Sequence, residues 1–262
     1  PDFRLLPDIP RRGVAPSAGG FDALTAARRI SSAGSARVVP SVSADASPSA
    51  VIAEIARFSR QHGGPARLQI DVGESLADVR RLAAAVRHAR GELAPQIVIP
   101  VATAAHVALA GEIADIVRIR EHDVAWAREL RYAVRAAALA AGRSPLPVLV
   151  DVRAVIGEDP VTARVRAELV DSLGGAPAAG ALTIVDTPEE ATATLAHWLE
   201  AGAADGFTIE PASLATDLGA VIHEVIPALG ARGFEVSARR RATPALRRTS
   251  GPAVRELAHA AG

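Results

Sequence analysis

The sequence predicts an α/β fold of the (β/α)8 TIM-barrel kind, a ring of parallel strands alternating with helices. Three observations predict it. Short apolar runs and stretches of helical periodicity alternate about eight times along the chain, the pattern that right-handed strand-helix-strand crossovers require. The connections between them are short. The length, 262 residues, matches the roughly 250 residues of a typical barrel and is enough to bury a sizeable core.

Taken in order, Phe3 to Leu6 is a short apolar run between Asp and Pro, and Arg11 to Gly20, with Gly and Pro, reads as loop. Phe21 to Ile30 reads as helix. Arg37 to Val42 reads as a buried strand opening into a small polar loop, Ser43 to Ser47. Pro48 starts a helix in which Val51, Ile52, Ile55 and Phe58 recur at helical spacing until Gly63-Gly64. Arg67 to Val72 is strand, and Glu74 to Arg90 is helix with Leu76, Val79, Leu82 and Val86 on one face. Gln96 to Val101 is a continuous apolar run, as a strand buried on both faces must be.

A brief helix from Ala104 to Leu109 leads to a strand from Ala114 to Ile119. Asp123 caps a long helix that Gly142 closes. Pro147 to Val152 is strand and Pro160 to Leu173 helix. Gly174 to Gly180 is a flexible connection without the Lys-Ser/Thr ending of a phosphate loop, and Leu182 to Val185 is extended. The clearest step follows. Thr187 caps a helix, Pro188 suits its first turn, and Glu189 and Glu190 sit at the positive end of its dipole. Leu195, Trp198 and Leu199 form its apolar face, Gly202 stops it, and the strand Phe207 to Ile209 emerges before Glu210-Pro211.

Composition narrows the function. Formal charge is zero with acids and bases interspersed, so nothing general favours nucleic acid or an anionic membrane. Cysteine is absent, which removes disulfides, thiolate nucleophiles and thiolate metal sites. No run reaches the ~20 apolar residues of a membrane span, and Pro1 to Pro10 lacks a signal-peptide core, so a soluble cytoplasmic protein is expected. The motifs Gly-x-Ser-x-Gly, His-Glu-x-x-His and Gly-x-Gly-x-x-Gly are missing, and the seven histidines are scattered, which counts against hydrolase, zinc-protease and Rossmann readings and predicts no metal site. The arginines at 239–241 and 247–248 have no interleaved aromatic residues, so docking on the fold is the expectation over RNA contact.

The ordered series Thr187-Pro188-Glu189-Glu190, then Leu199 to Phe207, then Val221 to Leu229 and Arg232-Gly233 closely resembles the C-terminal portion of the bacterial luciferase-like, FMN-dependent monooxygenases. The likeness is strongest to the branch that oxidises nitrilotriacetate, EDTA and dibenzothiophene sulfone. Further back, Phe21 to Thr25, Ser41-Val42-Ser43, Pro48, Arg67 to Val72, Ile97 to Thr103 and Ala114-Asp115 fit the same family. The resemblance implies a single barrel domain over residues 1–262 with a tail, residues 234–262, packed on it. Two departures stand out. The family's first strand has no counterpart unless Phe3 to Leu6 or Leu182 to Val185 fills its place. Only one helix separates Asp71 from Gln96, where relatives carry a long insertion, so a trimmed, more open barrel is expected.

In such a barrel ligands lie at the carboxyl ends of the strands, which nominates Ser41, Ser43, Gln69, Asp71, Thr103, His106, Arg120, Asp151, Arg153 and Glu210 by position. By resemblance, the turn Ala102-Thr103-Ala104-Ala105-His106 is the FMN phosphate turn, with a hydroxyl and helix-start N–H groups as ligands; a plain helix cap is the alternative. His106 stands where relatives have glycine. Gln69 falls where relatives place an amide under the flavin ring, and Ser41 and Ser43 where theirs is hydroxyl-rich. The activity implied is oxidation of a small organic substrate by O2 with reduced FMN, which a separate flavin reductase supplies. F420 is the alternative cofactor, a non-catalytic barrel that has lost flavin is the alternative role, and a homodimer is expected by analogy.

Overall fold

The computed structural model describes residues 2–3, 37–39, 41–62, 67–73, 75–89, 95–173, 180–213 and 215–234. Its strands are β1 (Asp2–Phe3), β2 (Arg37–Val38), β3 (Ser41–Ser43), β4 (Arg67–Asp71), β5 (Gln96–Val101), β6 (Ile116–Ile119), β7 (Val148–Ile156), β8 (Leu182–Asp186) and β9 (Gly206–Pro211). The helices are α1 (Pro48–His62), α2 (Leu76–His88), α3 (Ala104–Ile113), α4 (Val124–Ala140), α5 (Pro160–Ser172), α6 (Pro188–Glu200), α7 (Asp217–Ala220) and α8 (Ile226–Ala231), with a π-helical turn, Val221–Val225, between the last two. The expected helix from Phe21 to Ile30, the Gly63-Gly64 stop and the tail from residue 235 onward lie outside the described residues.

Among the described residues every strand pairing is parallel, in the order β2-β1-β9-β7-β6-β5-β4-β3. The ladder is interrupted between β2 and β3, its two ends. Only Val39 and Pro40 separate those two short strands in the chain, so the sheet curls until its end strands are sequence neighbours. The expected strand from Arg37 to Val42 is thus divided between the two ends, with Arg37–Val38 on β1 and Ser41–Ser43 on β4.

Asp2–Phe3 takes the place of the first strand, paired with β2 on one edge and β9 on the other. The other candidate, Leu182 to Val185, goes elsewhere. β9 pairs with residues 149–154 of β7, while β6 pairs with 148–150 and β8 with 152–156. Both overlap the β9 stretch, so β6 and β8 share the opposite edge of β7, and β8 prolongs the wall beyond the end of β6. β7 runs four residues past the expected end at Val152. Arg153 breaks its apolar run, and the structure accommodates that charge by pairing Arg153 Nη2 with Asp171 Oδ1 of α5 at 2.6 Å.

Alternation along the strands sorts the core. Leu68, Ile70, Ile97, Ile99, Val117, Val150, Val152, Phe207 and Ile209 join the main cluster beneath the helices. Val39, Val98, Ile116 and Leu149 form a separate small cluster on the other face, inside the curl of the sheet. Gly111 lets α3 press on α4; a β-carbon there would sit 2.7 Å from the backbone carbon of Ala137. The π-helical turn precedes Pro227, which cannot donate to the carbonyl four residues back and whose ring would crowd it. The chain widens instead, and Ile226 N–H reaches Val221 O.

Two helix-to-strand corners at the amino ends of the strands use one solution. Asp115 N–H donates to Ile97 O at 2.8 Å and its carboxylate accepts from Ile97 N–H at 2.9 Å. Asp205 does the same with Val148, at 2.8 and 2.9 Å. Arg143 crosses from the end of α4 to donate to Gly111 O, and Arg131 of α4 donates to Gly202 O while gripping Asp205 through Nη2 at 2.6 Å. Burial alone would raise the Asp205 pKa, but hydrogen bonds from Arg131 and Val148 N–H, with the charges of Arg131 and Arg135, outweigh it and hold the carboxyl below its ordinary value. A depressed folded-state pKa contributes stability that is complete above the unfolded value, near 3.9, and is lost as pH falls through the lower, folded one. Asp205→Asn is therefore expected to unfold at lower denaturant at pH 7 than the parent, with the difference shrinking below about pH 4. Urea midpoints measured across that range check it, and a difference independent of pH would count against the assignment.

Candidate active site at the strand ends

The inward-facing positions of five strands carry a connected polar cluster. Arg118, the third residue of the four-residue strand β6, is 2% exposed and lies at its centre. Its Nε and Nη2 reach Asp151 Oδ1 of β7 at 2.8 and 2.7 Å, Nη1 donates to Gln69 Oε1 of β4, and Nη2 reaches Glu210 Oε1 of β9 at 3.3 Å. Arg120 Nε adds a bond to Asp151 Oδ2 at 3.3 Å. Because Gln69 gives its oxygen to Arg118, its amide nitrogen faces the rim, where it donates to Asp71 Oδ1 and lies 3.5 Å from Ser41 Oγ. Ser41 Oγ in turn donates to Asp71 Oδ2. A charged guanidinium survives out of water here because a carboxylate, an amide oxygen and a second carboxylate surround it.

One member of the interior stands apart. Thr208 of β9 lies opposite Asp151 in register and is fully buried, and its hydroxyl has no hydrogen-bond partner in the structure. At the foot of the same face, Arg67 Nε donates to Gln96 Oε1 at 3.0 Å, and burial pulls the Arg67 guanidinium down to about 10.

The turn after β5 is a capped helix start. Thr103 Oγ1 accepts from His106 N–H at 3.2 Å, and His106 Nδ1 accepts from Ala102 N–H at 3.3 Å. Two backbone donors are thus held by the chain's own side chains. Those of Ala104 and Ala105, the first residues of α3, have no acceptor within the helix by the geometry of any helix start, and both residues are exposed.

Of the positions read from the sequence, Ser41, Gln69, Asp71, Asp151 and Glu210 are brought into one network, with Arg120 at its edge. Ser43 is exposed beside it. Thr103, Ala104 and His106 form the separate turn, and Arg153 is committed to α5. Sequence reasoning missed Arg118, although a signal was there: a lone arginine flanked by Ile116, Val117 and Ile119 in a short apolar strand. It also missed Asp217 of α7, wholly buried, whose carboxylate accepts from Ile156 N–H at 2.8 Å, Ser213 N–H at 2.7 Å and Arg166 Nη2 at 2.8 Å. That residue ties the loop after β9 to the end of β7.

Elsewhere, a cavity of about 180 Å3 opens between α6, β9 and the last helices, lined by Leu195, Phe207, Ile209, Val225 and Leu229 among others. It is on the helix side of β9, away from Thr208 and Glu210. Among the described residues no group of three His, Asp or Glu side chains could hold a metal ion, and no helix is long and apolar enough to cross a membrane.

No family model matches the sequence, and neither does any curated protein. Solved structures do match the fold. EDTA monooxygenase (EmoA) from Chelativorans sp. BNC1 superposes with a TM-score of 0.68 at 15% identity, over 89% of this chain and 84% of that one. Riboflavin lyase (RcaE), solved with modified FMN and its substrate riboflavin, gives 0.61 at 14%, over 84% and 75%. An F420-dependent secondary alcohol dehydrogenase, in complex with an F420-acetone adduct, gives 0.58 at 13%, over 79% and 94%. The chain therefore shares the parallel α/β fold of these structures.

Proposed function

We propose that this chain is a luciferase-like monooxygenase that binds reduced FMN, delivered by a separate flavin reductase, and oxidises a small organic molecule with O2. The supporting observation is the polar cluster on the inward faces of β3, β4, β6, β7 and β9, which reaches the carboxyl ends of β4 at Asp71 and β9 at Glu210, the rim at which a parallel barrel presents its ligand groups. The ordered sequence resemblance from Thr187 to Gly233 and the fold likeness to EDTA monooxygenase point the same way.

The residues fit the cofactor best at its phosphate end. There the first turn of α3, capped by Thr103 on His106 N–H, offers the Ala104 and Ala105 N–H groups and the positive end of a dipole to an anion, with the Thr103 hydroxyl and the His106 ring beside them. At the ring end, Ser41, Gln69 and Asp71 already bond one another, so they would hold the flavin edge by exchanging internal hydrogen bonds for external ones, with Ser43 beside them. The bound group would supply the electrons for reaction with O2; the chain would orient it and exclude water.

Two rivals have their own support. F420 is the cofactor named for the alcohol dehydrogenase that shares this fold. A non-catalytic barrel is favoured by Arg118 filling the interior and by His106 occupying the Ala102 N–H. Anaerobic titration with photoreduced FMN, and separately with reduced F420, decides among them. Micromolar binding of FMN, abolished by Thr103→Pro at the helix start, is expected. Binding of F420 alone would move the chain to hydride transfer, and binding of neither would leave a non-catalytic barrel.

A further inference from the structure

We propose that the cavity behind β9 is a binding site for one small, uncharged, apolar molecule, the size of a substituted benzene ring. The cavity measures about 180 Å3. Phe207 and Ile209 of β9 make its floor, Leu195 of α6 one wall, and Val221, Val225 and Leu229 of the π-helical turn and α8 the other. All six are buried, so the space lies inside the packed layer between helices and sheet. Protein interiors hold few voids larger than a water molecule, and an unfilled one of this size weakens a marginally stable domain. Apolar walls give water nothing to bond, whereas a cavity of roughly 150 Å3 lined by Leu, Ile and Phe takes up benzene.

The π-helical turn is a second, independent observation. Turns of this kind recur at functional sites, and here the widened backbone carries Val221 and Val225, both on the cavity.

The lining also sets the chemistry of the ligand. Among the described residues its one polar side chain is Asp205, at the amino end of β9. That carboxylate is committed to Arg131, Arg135 and Val148 N–H. A ligand therefore finds no side chain to hydrogen-bond inside, and gains only by leaving water for apolar walls. Phe207 and Ile209 alternate along β9 with Thr208 and Glu210, so the cavity and the polar cluster lie on opposite faces of the strand. The inference is independent of the flavin reading.

Titration of toluene into the isotope-labelled full chain, followed by amide chemical shifts and by melting temperature, tests it. Saturable shifts confined to α6, β9, the π-helical turn and α8 are expected, with a Kd of about 1 mM or tighter and a melting temperature raised by about 2 °C. Benzamide, whose amide would be buried without a partner, should bind about tenfold more weakly. Val225→Phe fills the space and should weaken toluene binding by about tenfold or more; Leu195→Phe fills it from the opposite wall and gives the same reading where the first variant does not fold. A parent without saturable shifts, shifts centred on the polar rim, benzamide bound as tightly as toluene, or a folded filled variant that binds toluene like the parent would each overturn the proposal.

Discussion

Replacing Arg118 by alanine is expected to destabilise the chain by about 3–5 kcal/mol, the range for removing one partner of a buried ion pair. The magnitude follows from what is left behind. Asp151 loses two contacts at 2.7 and 2.8 Å, keeps only Arg120 at 3.3 Å, and remains almost fully buried as an anion. Gln69 loses the donor that fixes its amide, so the orientation of its nitrogen toward Asp71 and Ser41 is lost with it. Urea denaturation at neutral pH measures the cost. Replacing the pair together, Arg118→Met with Asp151→Leu, should recover most of it, since an apolar pair of similar volume removes the stranded charge. If Arg118→Ala costs less than about 1 kcal/mol, the cluster is looser than described and water already reaches it.

Asp217→Ala is expected to cost a similar amount, about 3–5 kcal/mol, for a different reason. Its carboxylate serves two backbone N–H groups, of Ile156 and Ser213, together with the Arg166 guanidinium. Alanine leaves one buried donor, Ile156 N–H, one half-buried donor, Ser213 N–H, and the Arg166 cation without this acceptor. Asp217→Asn keeps an oxygen for one N–H and turns an NH2 toward another donor, so about half the loss is expected. The effect should be local as well as global: amide exchange is expected to accelerate first in residues 211–217 and at the end of β7. Uniform acceleration across the sheet would mean that the residue supports the whole core and not the loop after β9.

The alternation of elements was legible because each is written in local chemistry. Asp123, Asp159 and Thr187 accept from N–H groups two or three residues on, Pro160 and Pro188 open their helices, and Gly142 and Gly202 adopt positive φ just past theirs. Such signals act within a few residues and need no knowledge of the fold. Gln96 to Val101 was legible for a related reason, since a strand covered on both faces must be apolar throughout. Asp71, Asp151 and Glu210 could be nominated as site residues because each stands at or beside the carboxyl end of a strand as read from the sequence, and position in a parallel sheet selects its rim. In the structure Asp71 ends β4, whereas Asp151 is the fourth of nine residues in β7 and Gln69 the third of five in β4.

Partner choice was not legible. Nothing near Leu182 says that β8 will lie on β7 beyond the end of β6, and nothing near Asp2 says that two residues will bridge β2 and β9. Arg118 looks like an error in a buried strand until Asp151, 33 residues later, and Glu210, 92 residues later, are folded against it. Local sequence determined the elements, their caps and their inward and outward faces. Tertiary structure alone decided which strands adjoin and which charges meet, because the cost of burying an ion is offset only by partners that long-range folding brings within about 3 Å.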